Sequence, residues 1–274
     1  MVWPDEKNVA VALTFDVDAE VGWNGYVEPD AYARRIALLS EGTFGPRRGL
    51  PRILELLERI GVPATFFIPG RTAERHPEAV EAILAKGHEI GHHGYEHLRV
   101  DGLDGTQQAE EIERGIAALK GAGAPTPKGY RGPSAELTPE TLALLIEHGF
   151  EYDSTCMGDD RPYFESFGDD AILELPISHS LIDFVRFSFS ADFGGNMQPA
   201  DGLYADWRAE YESLCAEGHA SMIPVLHPEI IGRAYRLRSF EQLLEFLAED
   251  GNAWFTTMSG LAEHARQVLT ASAR

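Results

Sequence analysis

The sequence predicts a single α/β domain over residues 1–274, built on a mostly parallel sheet. Three observations carry that prediction. Apolar strand-like runs alternate with amphipathic helical segments about seven times along the chain. The helical segments carry their own start or stop residues. No low-complexity linker divides the series. A barrel and an open doubly wound sheet both fit this length, and in either one polar residues at the carboxyl ends of strands are the functional candidates.

The first strand is VAVALTF (9–15), β-branched and apolar. GLPRILELLERI (49–60) places Leu50, Ile53, Leu54, Leu57 and Ile60 on one helical face, and Gly61 stops the helix. ATFFI (64–68) is a second strand closed by Pro69-Gly70. HPEAVEAILAKG has Pro77 at its start and Gly87 at its end. HEIGHH (88–93) reads as a short strand. DGTQQAEEIERGIAALKG reads as a helix with Asp104 as N-cap and Gln107 three residues on. KGYRGP (128–133) is the next strand, and LTPETLALLIEHG follows with Thr138 as N-cap, Pro139 at N1 and Gly149 as stop. FEYDS (150–154) and ILELPIS (172–178) are further strands, and the region up to about residue 200 reads as irregular. YADWRAEYESLCAEG (204–218) is helical and ASMIPVLH (220–227) a buried strand. SFEQLLEFLAEDG opens with Ser239 and Gln242 as a capping box. NAWFTTM (252–258) is the last strand, and a C-terminal helix follows it.

Apolar residues make up 44% of the chain and charged residues 24%, the balance of a water-soluble globular protein. No apolar run reaches bilayer-spanning length. Forty-four acidic against 23 basic residues give a formal net charge of −21. Such a surface repels phosphate backbones and anionic lipid heads, which argues against nucleic acid and membrane partners. The N-terminus lacks a basic segment and a small-residue cleavage site, so it does not read as a signal peptide. Cys156 and Cys215 form neither a disulfide framework nor a metal knuckle. Together these predict a cytoplasmic location.

The first strand ends in acid, at Asp16, Asp18 and Glu20. Buried carboxylates are costly unless paired or bound to a metal. On an extended chain residues i and i+2 share a side, so Asp16 and Asp18 face one point, Val17 packs behind, and Glu20 faces solvent. A D-x-D pair alone is a weak signal and reads more readily as a solvated loop with a helix-capping Asp. Four of the ten histidines lie in GHEIGHHGYEH, at 88, 92, 93 and 97. Imidazole is the commonest side-chain ligand for zinc and similar ions. An i,i+4 pair shares an ion only where the backbone turns, and Gly94 permits the turn for His93 and His97. His88 reads as a structural hydrogen-bonder, and His92 points away from His93. Two histidines and an aspartate make a three-ligand site with open positions, the plan of a catalytic metal. Arg131 in YRGPS sits at a strand end, where it either holds Asp16 ionised or makes a surface ion pair. His227 ends the apolar run ASMIPVL. It is a candidate general acid or a buried histidine bonded to a carbonyl.

In this order the pieces resemble the polysaccharide deacetylase, or NodB-homology, family over residues 9–260. Its first motif matches Thr14-Phe15-Asp16-Val17-Asp18, its second His93-Gly94-Tyr95-Glu96-His97, its third Arg131-Gly132-Pro133, and its fifth Val225-Leu226-His227. For the fourth motif Asp183 stands in, but the tryptophan is absent. The resemblance implies a distorted (β/α)7 barrel and a divalent metal, usually Zn²⁺, on Asp18, His93 and His97. It implies Asp16 as base, Arg131 as its orienting partner and His227 as the acid for the leaving nitrogen. Pro133 and Asp183 would face the substrate. Trp23 and Tyr26 follow the first motif, as an aromatic lid or as simple loop packing. VDAEVGW, GHEIGHHGYEH and HPEIIGR resemble a signal-less branch that holds a peptidoglycan-deacetylase-like protein, cyclic imide hydrolases and, more distantly, a metal-free allantoinase. That branch implies a homo-oligomer, a tetramer in its known members, acting on a small amide, cyclic imide or N-acetyl substrate. N-deacetylation of peptidoglycan or another N-acetylglucosamine polymer is the alternative; a metal-free amidohydrolase and a non-catalytic binding protein are the others.

Overall fold

The structure, a computed structural model, describes residues 1–24, 34–190, 194–195 and 197–272. Its strands are β1 (Val9–Val11), β2 (Leu13–Asp16), β3 (Ala64–Ile68), β4 (Glu89–His92), β5 (Gly129–Tyr130), β6 (Tyr152–Asp153), β7 (Tyr163–Phe167), β8 (Asp170–Glu174), β9 (Ala220–Met222), β10 (Val225–Leu226) and β11 (Ala253–Phe255). One sheet runs β10-β2-β3-β4-β5-β6-β8-β7 and a second β11-β1-β9. Every pairing is parallel except the β7–β8 hairpin. Ala12 interrupts the first chain run, and a second break splits β9 from β10, so both runs contribute to both sheets. A parallel bridge from Ile182 to Val225 adds a further contact along β10. The result is the distorted (β/α)7 architecture, a curled mixed sheet rather than a regular ring.

The core follows from the alternation in the sequence. Strands β1–β3 are buried on both faces, as parallel strands covered by helices must be. Phe15 stacks on Phe66 with ring centroids 4.9 Å apart, and Phe240 meets Phe15 edge-on at 6.3 Å. The Leu50–Ile60 helix buries Leu50, Ile53, Leu54, Leu56 and Leu57 against them. Each such side chain contributes roughly 1.5–3 kcal/mol relative to exposure. Gly61 ends this helix at φ +80°, a left-handed position that favours glycine. The Asp104–Gln107 capping box and the Thr138 cap form as predicted. Among the described residues no helix is long and apolar enough to cross a membrane.

Several expectations change. Helices Ile36–Phe44 and Gly70–Arg75 were not legible in the sequence, and β7 falls between the strands expected at 150–154 and 172–178, where no element was read. The strand expected at 172–178 ends at Glu174, two residues before Pro176, which has no N–H to donate. Ser239 is not a helix cap. The helix starts at Ala234, its first turn closed by Leu237 N–H onto Arg233 O at 2.8 Å. Ser239 lies buried inside it and donates its hydroxyl to Ala200 O. His88 is buried with no hydrogen-bond partner on either ring nitrogen and packs on Phe66 at 5.4 Å.

Glu20 does not face solvent freely. Its carboxylate accepts from His76 Nε2 at 2.9 Å and from the Thr43 hydroxyl at 3.2 Å. Partial burial pushes Glu20 up, but the His76, backbone and Thr43 hydrogen bonds outweigh it and bring it to about 2. Glu20 in turn raises His76, against partial burial. The His76 contribution to stability is therefore complete below the ordinary histidine value and lost as pH rises through its raised value. The Glu20 contribution is present above the ordinary glutamate value and lost as pH falls through about 2. His76→Ala should cost about 1 kcal/mol near pH 5.5, measured by urea unfolding, and less at pH 9. An equal cost at both pH values would remove the ion pair as the cause.

Candidate active site

The site gathers at the carboxyl ends of β2, β4, β5 and β10. Asp16 is the last residue of β2. Val17 N–H continues the ladder to Phe67 O at 2.8 Å, which keeps Asp16 and Asp18 on one side. Thr72 donates its hydroxyl to the Asp18 carbonyl at 2.7 Å and fixes the turn after the strand. His93 and His97 follow β4 in a loop whose backbone turns at Gly94 (φ +69°) and His97 (φ +58°). Glu111 supports that loop from below. One carboxylate oxygen, Oε2, accepts the N–H groups of Tyr95 and Glu96, both at 2.9 Å.

Asp18, His93 and His97 each present a donor atom, and the three atoms lie within 4.8 Å of one another. His93 Nε2 is 3.5 Å from Asp18 Oδ1, and His97 Nε2 is 3.4 Å from Asp18 Oδ2. The Arg131 carbonyl, 2.7 Å from His93 Nδ1, only accepts. Nδ1 therefore carries the proton, and the Nε2 lone pair faces Asp18. All three side chains are buried, and Asp18 Oδ1 has no hydrogen-bond partner. Burial pushes Asp18 up, keeps His93 below the ordinary histidine range and takes His97 down to about 4. Neutral imidazoles around an orphaned carboxylate are the donor set a divalent cation requires. The residues fit that group.

Arg131 and Asp16 form the second half of the site. Arg131, 1% exposed, donates to Asp16 Oδ1 and the Thr14 hydroxyl at 2.8 Å each. It also donates to the Ser154 carbonyl at 3.0 Å and hydroxyl at 2.9 Å, and lies over the Phe67 ring at 4.2 Å. Burial pushes Asp16 up, but Arg131, with His93 and His227, outweighs it and holds the carboxyl below its ordinary value. Asp16 Oδ2 stays free of Arg131, 3.8 Å from His93 Nε2.

His227 follows β10 and faces the same point, its Nε2 3.6 Å from Asp18 Oδ2. Asp183 holds it twice, by Oδ1 at 2.6 Å from Nδ1 and by Oδ2 accepting the His227 backbone N–H at 2.9 Å. Burial lowers His227, but Asp183 outweighs burial and lifts it well above the ordinary value. Asp183 reaches the site only through His227. Asp183→Asn should lower kcat on the order of tenfold and move the alkaline limb of the kcat/KM profile down by about one pH unit, because His227 then loses its proton earlier. An unmoved alkaline limb would leave Asp183 with a packing role alone.

A cavity of about 140 Å³ opens over these groups. Asp16, Asp18, His93, His97, Arg131 and His227 line its floor, and Ile177, Ile182, Phe184, Val185 and Val225 its apolar wall. The residues expected to touch substrate fall elsewhere. Asp183 is fully buried behind His227, outside the cavity lining. Pro133 is buried against Gly94, and its neighbours Gly132, Ser134 and Ala135 line the cavity instead. Trp23 is 4% exposed and packs near Leu38 and Phe184, as loop packing rather than as a lid. Tyr26 lies outside the described residues. Thr14, Glu111 and Ser154 were missed. Glu111 left one signal: it is a carboxylate on the buried stripe Gln108, Glu111, Ile112, Gly115 and Leu119. Ser154 left none.

Cleaving an unactivated acyl bond to nitrogen calls for a base toward water and an acid toward the departing amine. The floor holds an ionised carboxylate and a protonated imidazole on either side of a cation-sized donor cluster, which is the arrangement of a carbon–nitrogen hydrolase. Comparison with known proteins gives the family. The polysaccharide deacetylase model matches residues 5–152, and the chain belongs to that family. A Helicobacter pylori peptidoglycan deacetylase is 28% identical over 91% of this chain and 94% of its own. A crystal structure of a Mycobacterium smegmatis protein assigned to the polysaccharide deacetylases is 38% identical, with a TM-score of 0.92 over 97% of this chain and 93% of that one. The fold is shared with Puue allantoinase at 24% identity, with a TM-score of 0.83 over 96% and 91% of the two chains.

Proposed function

We propose that the protein is a divalent-metal-dependent hydrolase of small amides, cyclic imides or compact N-acetyl compounds, with residues 1–274 acting as one catalytic unit. The observation that carries the small-substrate reading is the cavity: about 140 Å³ with an apolar wall. That is well under the roughly 300–1,000 Å³ typical of sites for drug-sized ligands.

Asp18, His93 and His97 would hold the ion, and one oxygen with two nitrogen donors suits Zn²⁺. Once bound, the ion supplies Lewis acidity toward the acyl oxygen and lowers the pKa of water at the site. Asp16 accepts the proton of the attacking water through Oδ2, the oxygen Arg131 leaves free. Arg131 keeps Asp16 charged and fixes its plane. His227 gives its Nε2 proton to the departing nitrogen, which leaves poorly as an anion, while Asp183 holds Nδ1 and steadies the imidazolium. Each of these proton transfers contributes on the order of 10²–10⁴-fold. The apolar wall lowers the polarity around the floor, which strengthens each of these charges.

Polymer deacetylation is the second reading, and the likeness to the Helicobacter pylori peptidoglycan deacetylase favours it. Turnover in the presence of Zn²⁺ on succinimide-type rings, ureides, simple N-acetyl amines and chitooligosaccharide separates the two. The expected result is the highest kcat/KM on a small ring or amide. Turnover confined to chitooligosaccharide would overturn the small-substrate reading. Tight binding without turnover across the panel would overturn the hydrolase.

A further inference from the structure

A second group of metal-type donors lies outside the acid–base floor. Asp153 ends β6 and Glu174 ends β8, and the two are register partners in parallel strands. Both carboxylates are fully buried. Like charges so placed cannot both ionise unless something positive, a proton or a cation, sits between them. No lysine or arginine makes a salt bridge to either one among the described residues. Arg131 acts on Asp153 only through space, because its guanidinium bonds go to Thr14, Asp16 and Ser154.

Cys156 completes the group. One donor atom each from Asp153, Cys156 and Glu174 lies within 4.8 Å of the others. Glu174 Oε1 accepts the N–H of Thr155 at 3.0 Å and of Cys156 at 3.1 Å. Its Oε2 is buried and accepts from no N–H or hydroxyl group, which leaves the Asp153 carboxyl and the Cys156 thiol as the only side chains that reach Glu174 among the described residues. Asp153 is oriented by Thr155, whose hydroxyl donates to Oδ1 at 2.8 Å and whose N–H donates to Oδ2 at 3.2 Å. Cys156 itself is only half-buried. Without an ion, Asp153 and Glu174 share a proton and the Cys156 thiol donates to Glu174; a divalent ion would replace both protons and draw on all three donors at once. Two oxygens and a sulfur suit a borderline-soft divalent ion.

We propose that Asp153, Cys156 and Glu174 form a second cation site, taking Zn²⁺ or an ion of the same class as a structural tie between β6 and β8. Binding releases the Cys156 proton to solvent, since the ligand is the thiolate. The site lies one residue from Ser154, whose carbonyl and hydroxyl each accept from Arg131. The tie therefore steadies the guanidinium that orients Asp16. The two cysteines had looked unrelated to metal binding because the partners of Cys156 are carboxylates, one of them on another strand.

Titration of the purified protein with Co²⁺ tests this, because the Asp18, His93 and His97 cluster contains no sulfur. A thiolate-to-cobalt charge-transfer band is expected in the wild type, in His93→Ala and in Cys215→Ser, and its loss in Cys156→Ser. Zinc content should fall from about two ions per chain to about one in Cys156→Ser and in Glu174→Gln. Circular dichroism confirms that each variant is folded. A folded wild type with no such band, a band that disappears in Cys215→Ser, or a zinc content unchanged by Cys156→Ser would each overturn the site and leave a proton-sharing carboxyl pair.

Discussion

Asp18→Asn is expected to abolish turnover, with a loss of at least about 10³-fold, and to remove one bound divalent ion per chain. Asp18 is the only anionic member of its cluster, and the two imidazoles beside it are held neutral by burial. An amide in its place leaves a dication with neutral donors in a buried site, where charge is least tolerated. The backbone should survive the change, because Thr72 holds the Asp18 carbonyl and not its side chain. His93→Ala should lose the same ion. Metal analysis and initial rates on one preparation check both statements. Full activity in chelator-treated protein would overturn the metal-dependent reading in favour of a metal-free amidohydrolase.

Asp16→Asn is expected to keep that ion and still lose on the order of 10²–10⁴-fold in kcat. The side chain keeps its shape but no longer takes a proton at working pH. It also leaves Arg131, 1% exposed, without its carboxylate. Breaking a buried pair from one side typically costs about 3–5 kcal/mol, so a lowered melting temperature should accompany the lost rate. Thr14 and Ser154 still accept from the guanidinium, which limits the damage. Rates must therefore be compared at a temperature where circular dichroism shows both proteins folded. A folded variant with wild-type kcat and a bound ion would remove Asp16 as the base.

The two predictions treat a pair of neighbouring carboxylates differently, and their surroundings are the reason. Asp16 is held below its ordinary value by Arg131 against the effect of burial. Asp18 has no such partner, is pushed up by burial and keeps one orphaned oxygen. Environments that drive like groups apart assign unlike roles.

Much of this was legible in the chain itself. The alternation of strand and helix, the two capping residues Asp104 and Thr138 and the glycine stop at Gly61 are local, and the structure has them in place. Asp16 with Asp18, and His93 with His97, could be grouped because extended and turned backbone bring neighbours in sequence to one side. Glu20 could not be placed, because its partner His76 lies 56 residues away on another element. Ser239 looked like a cap because Gln242 follows at the right spacing, yet helical hydrogen bonding begins five residues earlier, at Ala234.

By itself the sequence determined which residue types stand at the ends of the strands, and so the chemistry available there. Only the tertiary structure decided which groups each of them meets. Asp16 meets Arg131 across 115 residues, and His227 meets Asp183 across 44. Those meetings depend on which strands pair and how far the sheet curls. A protonation state follows from the charges and the burial around a group, and neither exists until the chain has closed on itself.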